Sequence, residues 1–430
     1  DYALGESNRR IVVYSIPLPW PIRVVDELGR PMPGVFVEAV VGSRSFVNWT
    51  GEDGVAWFSG VVPEKVYVYD WGGLLVGFAD GNESRVVVRR VGEVRAANAV
   101  EARGYAVFKG LFLNGTVKSL VYEVAVSGGA MKIQRPIPLI YPVEVYVDEV
   151  SVGALRLKLE KPLLVYRGNA SDLAKGLDFA ELGLTSFVSI AAVDSTGAPR
   201  SDWAVQLIYG NVTVAEGRGI LTAVLPRTDA LGQPYTVRVI ANAITPEGKA
   251  LVEEQSLEVR QKALAVQIPI STVRVVAQVV DGFGNIRRDW PIVIENVAAG
   301  MGRIEAEIVE GQKYRARATG LDFTNITEFE ARSPHMTVTV KIPTAKLSVR
   351  VVDERGAPID SYVTSIQISG PVTQSFLTPP RGLEVLAGQY TIRVRALGGE
   401  GVAQVTLNAG EVKTVEVVVP GVARSGTVVV

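Results

Sequence analysis

Six asparagines stand in the tripeptide Asn-x-Ser/Thr: Asn48, Asn82, Asn114, Asn169, Asn211 and Asn325. None has proline in the middle position. The chemistry this tripeptide serves is covalent. The amide nitrogen takes an N-linked glycan, a bulky and solubilising group that needs a surface turn or strand edge. The chain has only twelve asparagines, and serine plus threonine number 46 of its 430 residues. Chance then supplies about one or two such sites. One sequon alone reads as an asparagine serving its turn. Six together reverse that reading and imply a location outside the cytoplasm, with N-linked glycans as partners.

Other reactive side chains are scarce. The chain has no cysteine, which excludes disulfides, thiolate metal sites and cysteine nucleophiles. His335 is the single histidine, and it has neither a second histidine nor a cysteine with which to build a zinc site. No Gly-x-Ser-x-Gly motif supports a nucleophilic serine. No segment stands out as a paired-carboxylate site. Asp26, Asp194, Asp281 and Asp353 invite a calcium reading, but calcium takes about six to eight oxygens and each site offers one or two. These aspartates read as turn caps. The expectation is no catalytic residue, no metal, no cofactor and no enzyme.

The four aspartates define the framework that must carry the sequons. IRVVDELGRP, SIAAVDSTGAP, VAQVVDGFGN and VRVVDERGAP are each an apolar strand running into Asp, with glycine three residues later: Gly29, Gly197, Gly284 and Gly356. Nine residues after each Asp comes Val35, Trp203, Trp290 or Tyr362, a repeated position expected in the core. Three units add a second element, GQPYTVRV, GQKYRARA and GQYTIRV, in which a Gly-Gln turn leads to a strand with Tyr and then Arg. Two shared elements in one order mark a repeated folded unit. The pattern strand, DxxGxP, strand, turn, DGVAxF, strand resembles the carboxypeptidase regulatory-like and Cna-B-type repeat domains. That resemblance is best in the first and last units. It implies seven-stranded transthyretin-like or immunoglobulin-like sandwiches, similar to units in the stalks of bacterial adhesins and pilins. Cna-B-type domains can carry Lys–Asn isopeptide bonds; with 13 lysines and no repeated acceptor, that feature is not carried over.

Composition agrees with an all-β chain of tandem sandwiches. Hydrophobic residues make up 47%, and 43 glycines with 23 prolines supply turns. The boundaries expected are 1–92 for repeat one, 93–182 for a diverged β unit, 183–265, 266–344 and 345–422 for repeats three to five, and 423–430 for a tail or exchanged strand. The best helix candidate is 171–182 with Ser171 as N-cap, and Asn114-Gly115 reads as a type I′ hairpin turn. Short proline-bearing junctions, QIPISTVRV and KIPTAKLSVRV, predict a fairly rigid rod or a packed assembly rather than beads on a flexible string. A net charge of −1 gives no field for nucleic acid or anionic lipid. No apolar run could span a membrane and no anchor is visible; a cleaved leader before Asp1 would leave no trace.

With 31 Arg to 13 Lys and few thermolabile side chains, the composition suggests a thermophile, and with the sequon density it resembles archaeal surface proteins. The function expected is a structural extracellular glycoprotein that self-associates into a surface layer or filament. The alternatives are a monomeric adhesin or carbohydrate-binding stalk, which an exposed aromatic strip would favour, and an accessory region of a larger secreted enzyme. The segments 11–16 (IVVYSI) and 427–430 (TVVV) are the candidates for strand exchange.

Overall fold

Burial alternates along most strands. Pro19–Asp26 buries Ile22 and Val24, and Phe36–Val41 buries Val37 and Ala39. A period of two makes each strand one wall of a core, so the strands pair into facing sheets. Each fully buried valine or isoleucine contributes about 1.5–3 kcal/mol. The computed structural model describes residues 18–60, 62–332 and 334–421. Over these residues the protein is all-β, with two single-turn α-helices, Ala170–Leu173 and Thr228–Leu231, and one 3-10 turn.

Four units share one sandwich. In unit one, Pro19–Asp26 lies between Val55–Ser59, antiparallel to it, and Arg85–Val88, parallel to it. The facing sheet has four strands in the order Arg44–Trp49, Phe36–Val41, Lys65–Tyr69, Leu75–Asp80. Units three (185–269), four (272–341) and five (344–418) repeat this three-plus-four arrangement, and one pair, Ile244↔Ile308, joins the four-stranded sheet of unit three to the three-stranded sheet of unit four. In every case the last strand returns beside the first, in parallel. This return puts Ala263–Pro269 in unit three, so the joint to unit four falls at 270–271 rather than near 265.

The Asp-x-x-Gly turns close identically. Asp26 Oδ1 accepts the N–H of Leu28 and of Arg30, each at 2.9 Å. Asp194 does the same for Thr196 and Ala198, Asp281 for Phe283 and Asn285, and Asp353 for Arg355 and Ala357. Gly29, Gly197, Gly284 and Gly356 take φ between 78° and 86°, where a Cβ would be strained. Nine residues on, Val35, Trp203 and Trp290 are buried, but Tyr362 is 56% exposed. The reason is local. Unit five has Ile359 where units three and four have Arg200 and Arg287; Ile359 turns into the core, and Tyr362 is left outside.

Unit two is a single seven-stranded sheet, not two facing sheets. Its order is Leu155–Asn169, Pro142–Val152, Ala102–Leu111, Val117–Ser127, Ala130–Pro138, Arg90–Ala97, Leu177–Asp178. Asn169 ends one edge strand, and the chain then crosses to the opposite edge at Leu177. The sheet therefore curls over Phe108, Met131, Ile137, Leu173 and Phe179. The helix expected over 171–182 is one turn, Ala170–Leu173, with Asn169 at its N-cap position. Gly176, at φ 110°, turns the chain away toward the short strand. The hairpin at Asn114-Gly115 forms, but only Gly115 has positive φ. Gly115 N–H bonds Phe112 O at 2.8 Å, so the turn is not type I′.

Unit one lies side-on against unit two. Tyr69, Leu74 and Leu75 belong to the core cluster of unit two, and Phe36 and Tyr67 pack on it. Tyr141 Oη donates to Leu75 O at 2.8 Å across this contact.

Candidate functional site

Ion pairs cross the joints between units three and four and between units four and five. Unit three carries Arg200-Ser201-Asp202-Trp203, and unit four carries Arg287-Arg288-Asp289-Trp290. The guanidinium of Arg200 lies over the Trp203 ring at 4.5 Å and that of Arg287 over Trp290 at 4.0 Å. Arg200 holds Asp202 through Nε and Nη2 at 3.0 and 2.9 Å. Its Nη1 and Nη2 each reach Glu307 of unit four at 2.7 Å. Arg287 holds Asp289 in the same way and crosses to Glu384 of unit five. The cross-joint pairs are mostly shielded, with Arg200 and Glu307 side chains 25% and 19% exposed, whereas Asp202 and Asp289 are open to solvent. Hydrogen bonding to Glu307 and Asp202 raises the Arg200 pKa further, so it stays charged. Planar guanidinium is the group suited to bidentate pairing on one side and ring stacking on another.

A buried threonine heads each of units three, four and five. Thr185 Oγ1 donates to Asn98 O of unit two at 2.6 Å. Thr272 Oγ1 donates to Glu307 Oε1 at 2.6 Å, orienting the carboxylate that receives Arg200. Thr344 Oγ1 accepts Gly282 N–H of unit four at 2.9 Å. Tyr314 Oη donates across the unit three/four joint to Ile244 O at 2.9 Å.

The two clamped joints differ in filling. At the unit four/five joint, Lys346 sits 5.5 Å over the Phe283 ring, and Gly282 packs directly on Thr344. At the unit three/four joint, Ser195 and Thr196 take the corresponding places, and a cleft of about 620 Å³ remains. His335 lies here, exposed at the start of His335–Lys341, with Arg274 and Glu305 opposite. Among the described residues no group of three or more metal-ligating side chains comes together. No helix among them is long and apolar enough to cross a membrane.

The six sequons fall into two groups. Asn82, Asn114, Asn169 and Asn211 are exposed, at turns or a strand end. Asn114 Oδ1 accepts Thr116 N–H and Oγ–H at 3.1 and 2.6 Å, leaving the amide nitrogen unengaged among the described residues. Asn48 and Asn325 are half-buried on edge strands, and each side-chain amide donates one hydrogen bond and accepts another. Sequence alone does not separate these groups. Around Asn48 are the exposed Trp49 (66%) and Trp57 (52%), at the rim of unit one.

No protein-family model and no curated protein matches the chain. Several solved structures are similar to it. The TIE protein of Bacillus anthracis is 12% identical, with a TM-score of 0.18, over 82% of this chain and 71% of that one. The streptococcal ancillary pilin is 12% identical, with a TM-score of 0.23, over 58% and 97%. The pilus adhesin SpaC of Lactobacillus rhamnosus GG is 7% identical, with a TM-score of 0.21, over 75% and 57%. The likeness is one of fold alone.

Sequence reasoning missed the clamps. Their local half was visible, because Arg-x-Asp-Trp occurs six residues after both Asp194 and Asp281. Their other half was not, because Glu307 and Glu384 lie 107 and 97 residues away on strands with no shared motif.

Proposed function

We propose that the protein is a structural extracellular glycoprotein, a subunit of a surface layer or extracellular filament of a thermophilic archaeon. The observation that carries this reading is the Arg-Asp-Trp clamp recurring at two successive joints. Each clamp uses an arginine stacked on tryptophan that reaches across the joint, Arg200 through two bonds to Glu307 and Arg287 through one to Glu384. Stiff spacing of modules is what a scaffold requires. The surface location rests on the sequons, four of which are exposed. Its partners are further copies of itself and N-linked glycans. The segments 11–16 and 427–430, candidates for strand exchange, lie outside the described residues, and that contact rests on their sequence.

Electron microscopy of the native cell envelope tests the proposal. A lattice or filament labelled by antibody to this chain is expected; dispersed monomers overturn it. Deleting 425–430, and separately 1–16, tests the exchange. Assembly by both truncated proteins, measured by light scattering, places the contact elsewhere.

One observation favours a second reading, a carbohydrate-binding adhesin. Trp49 and Trp57 are exposed on either side of one asparagine, as flat apolar surfaces suited to sugar faces. Saccharide binding lost in both Trp49→Ala and Trp57→Ala would establish it.

A further inference from the structure

Asn48 and Asn325 occupy equivalent chemical situations on opposite sides of two different sandwiches. Asn48 lies on Arg44–Trp49, an edge of the four-stranded sheet of unit one. Its Nδ2 donates to Trp57 O at 2.9 Å, on Val55–Ser59, an edge of the facing sheet. Its Oδ1 accepts the N–H of Trp49 at 2.9 Å. Asn325 lies on Phe323–Glu330, an edge of the four-stranded sheet of unit four. Its Nδ2 donates to Lys341 O at 2.8 Å, on the edge strand His335–Lys341. Its Oδ1 accepts the N–H of Ile326 at 2.9 Å.

The register explains why these positions suit asparagine. Both edge strands leave a two-residue hairpin, closed by the pairs Val41↔Arg44 and Gly320↔Phe323. Antiparallel pairing alternates, so residues an even step from the closing pair bond to the neighbouring strand, and those between point their N–H groups outward. Asn48 and Asn325 are at even steps. Trp49 and Ile326 therefore carry the N–H groups that no strand receives. An asparagine carboxamide has an acceptor oxygen and two donor hydrogens on one nitrogen, so one N–H and the oxygen can stand in for a peptide group. Each asparagine side chain supplies the peptide group of a strand that is not there, and it ties the two sheets across the open side.

Thr50, third residue of the first sequon, is also accounted for by the fold. It is 2% exposed, donates to Met32 O at 2.6 Å and accepts Val35 N–H at 3.1 Å. Both ends of this sequon have structural work that needs no sugar. A glycan on Asn48 or Asn325 would have to leave from a nitrogen lodged between two strand edges.

We infer that Asn48 and Asn325 are edge bridges withheld from glycosylation, and that Asn82, Asn114, Asn169 and Asn211 are the glycan-bearing sites. The second half of this assignment rests on the glycoprotein reading; the first does not. Two measurements keep them apart. In protein from the cells that make it, glycopeptide mass spectrometry should find sugar on the four exposed asparagines and bare Asn48 and Asn325. A glycan on either of the latter overturns the inference. In protein made without glycosylation, Asn48→Ala and Asn325→Ala should each lower the melting midpoint of their unit by about 4–8 °C. Asn82→Ala and Asn211→Ala should leave it unchanged. Asn48→Asp keeps the acceptor for Trp49 and loses the donor to Trp57, so it should melt early as well. Midpoints of the Asn48 and Asn325 variants equal to the unsubstituted protein overturn the bridges. If all six asparagines are bare while the bridge variants melt early, the bridges stand and the glycoprotein reading fails.

Discussion

Arg200 shows how few atoms hold two units in place. One guanidinium stacks on Trp203, fixes Asp202 and reaches Glu307, so its removal leaves a shielded carboxylate without its cation. Arg200→Ala should cost about 2–3 kcal/mol in denaturant unfolding of units three and four. Arg200→Lys should rescue little, because an ammonium cannot pair bidentately and stack together. A double-mutant cycle with Glu307→Gln measures the cross-joint part. Asp194 is a second case. The Thr196 hydroxyl, with backbone N–H groups of Thr196 and Ala198, holds its carboxyl below the usual range. The folded value is depressed, so its stabilisation is present above about pH 4 and disappears as pH falls through the folded value. Thermal midpoints of unit three recorded from neutral to acid pH should fall less steeply in Asp194→Asn.

At the scale of elements, the joints are set by close approach as well as by charge. A Cβ on Gly282 would meet Thr344 O at 1.9 Å, so Gly282→Ala must open the unit four/five joint. Faster proteolysis near Ile342 and a larger radius of gyration by solution scattering should follow. Ser195→Ala, at the open unit three/four joint, should change neither. The turns were the legible part of this architecture. Asp and Gly three apart announce a local hydrogen-bond pattern that depends on no distant residue, and all four appear where sequence places them. The sequons were legible as a set but not individually. Whether an asparagine faces solvent or bridges two edges depends on register across the sandwich, which Trp57 and Lys341 decide from other strands. The short helix in unit two failed for a related reason. Residues 171–182 have helical composition, but Leu177 and Asp178 are captured by the free edge of Arg90–Ala97.

At the scale of the whole molecule, units three to five follow one another through two-residue links, while unit one folds back onto unit two through Tyr69 and Leu75. The array is therefore stiff at one part and compact at the other. The parallel return of each last strand beside its first has a mechanical consequence. Chain enters a sandwich at one end and leaves at the other, so tension along the molecule drags two neighbouring strands past each other. Their hydrogen bonds then resist together in shear instead of opening one by one. Units three, four and five each oppose seven residue pairs to such a pull, Phe187↔Ala263 to Val193↔Pro269 in unit three being one set. Unit one opposes four and unit two only Leu177↔Ala96 and Asp178↔Ala97. Single-molecule stretching should extend units two and one first and the remaining three at higher force, which makes the compact end an extensible buffer for the rigid one.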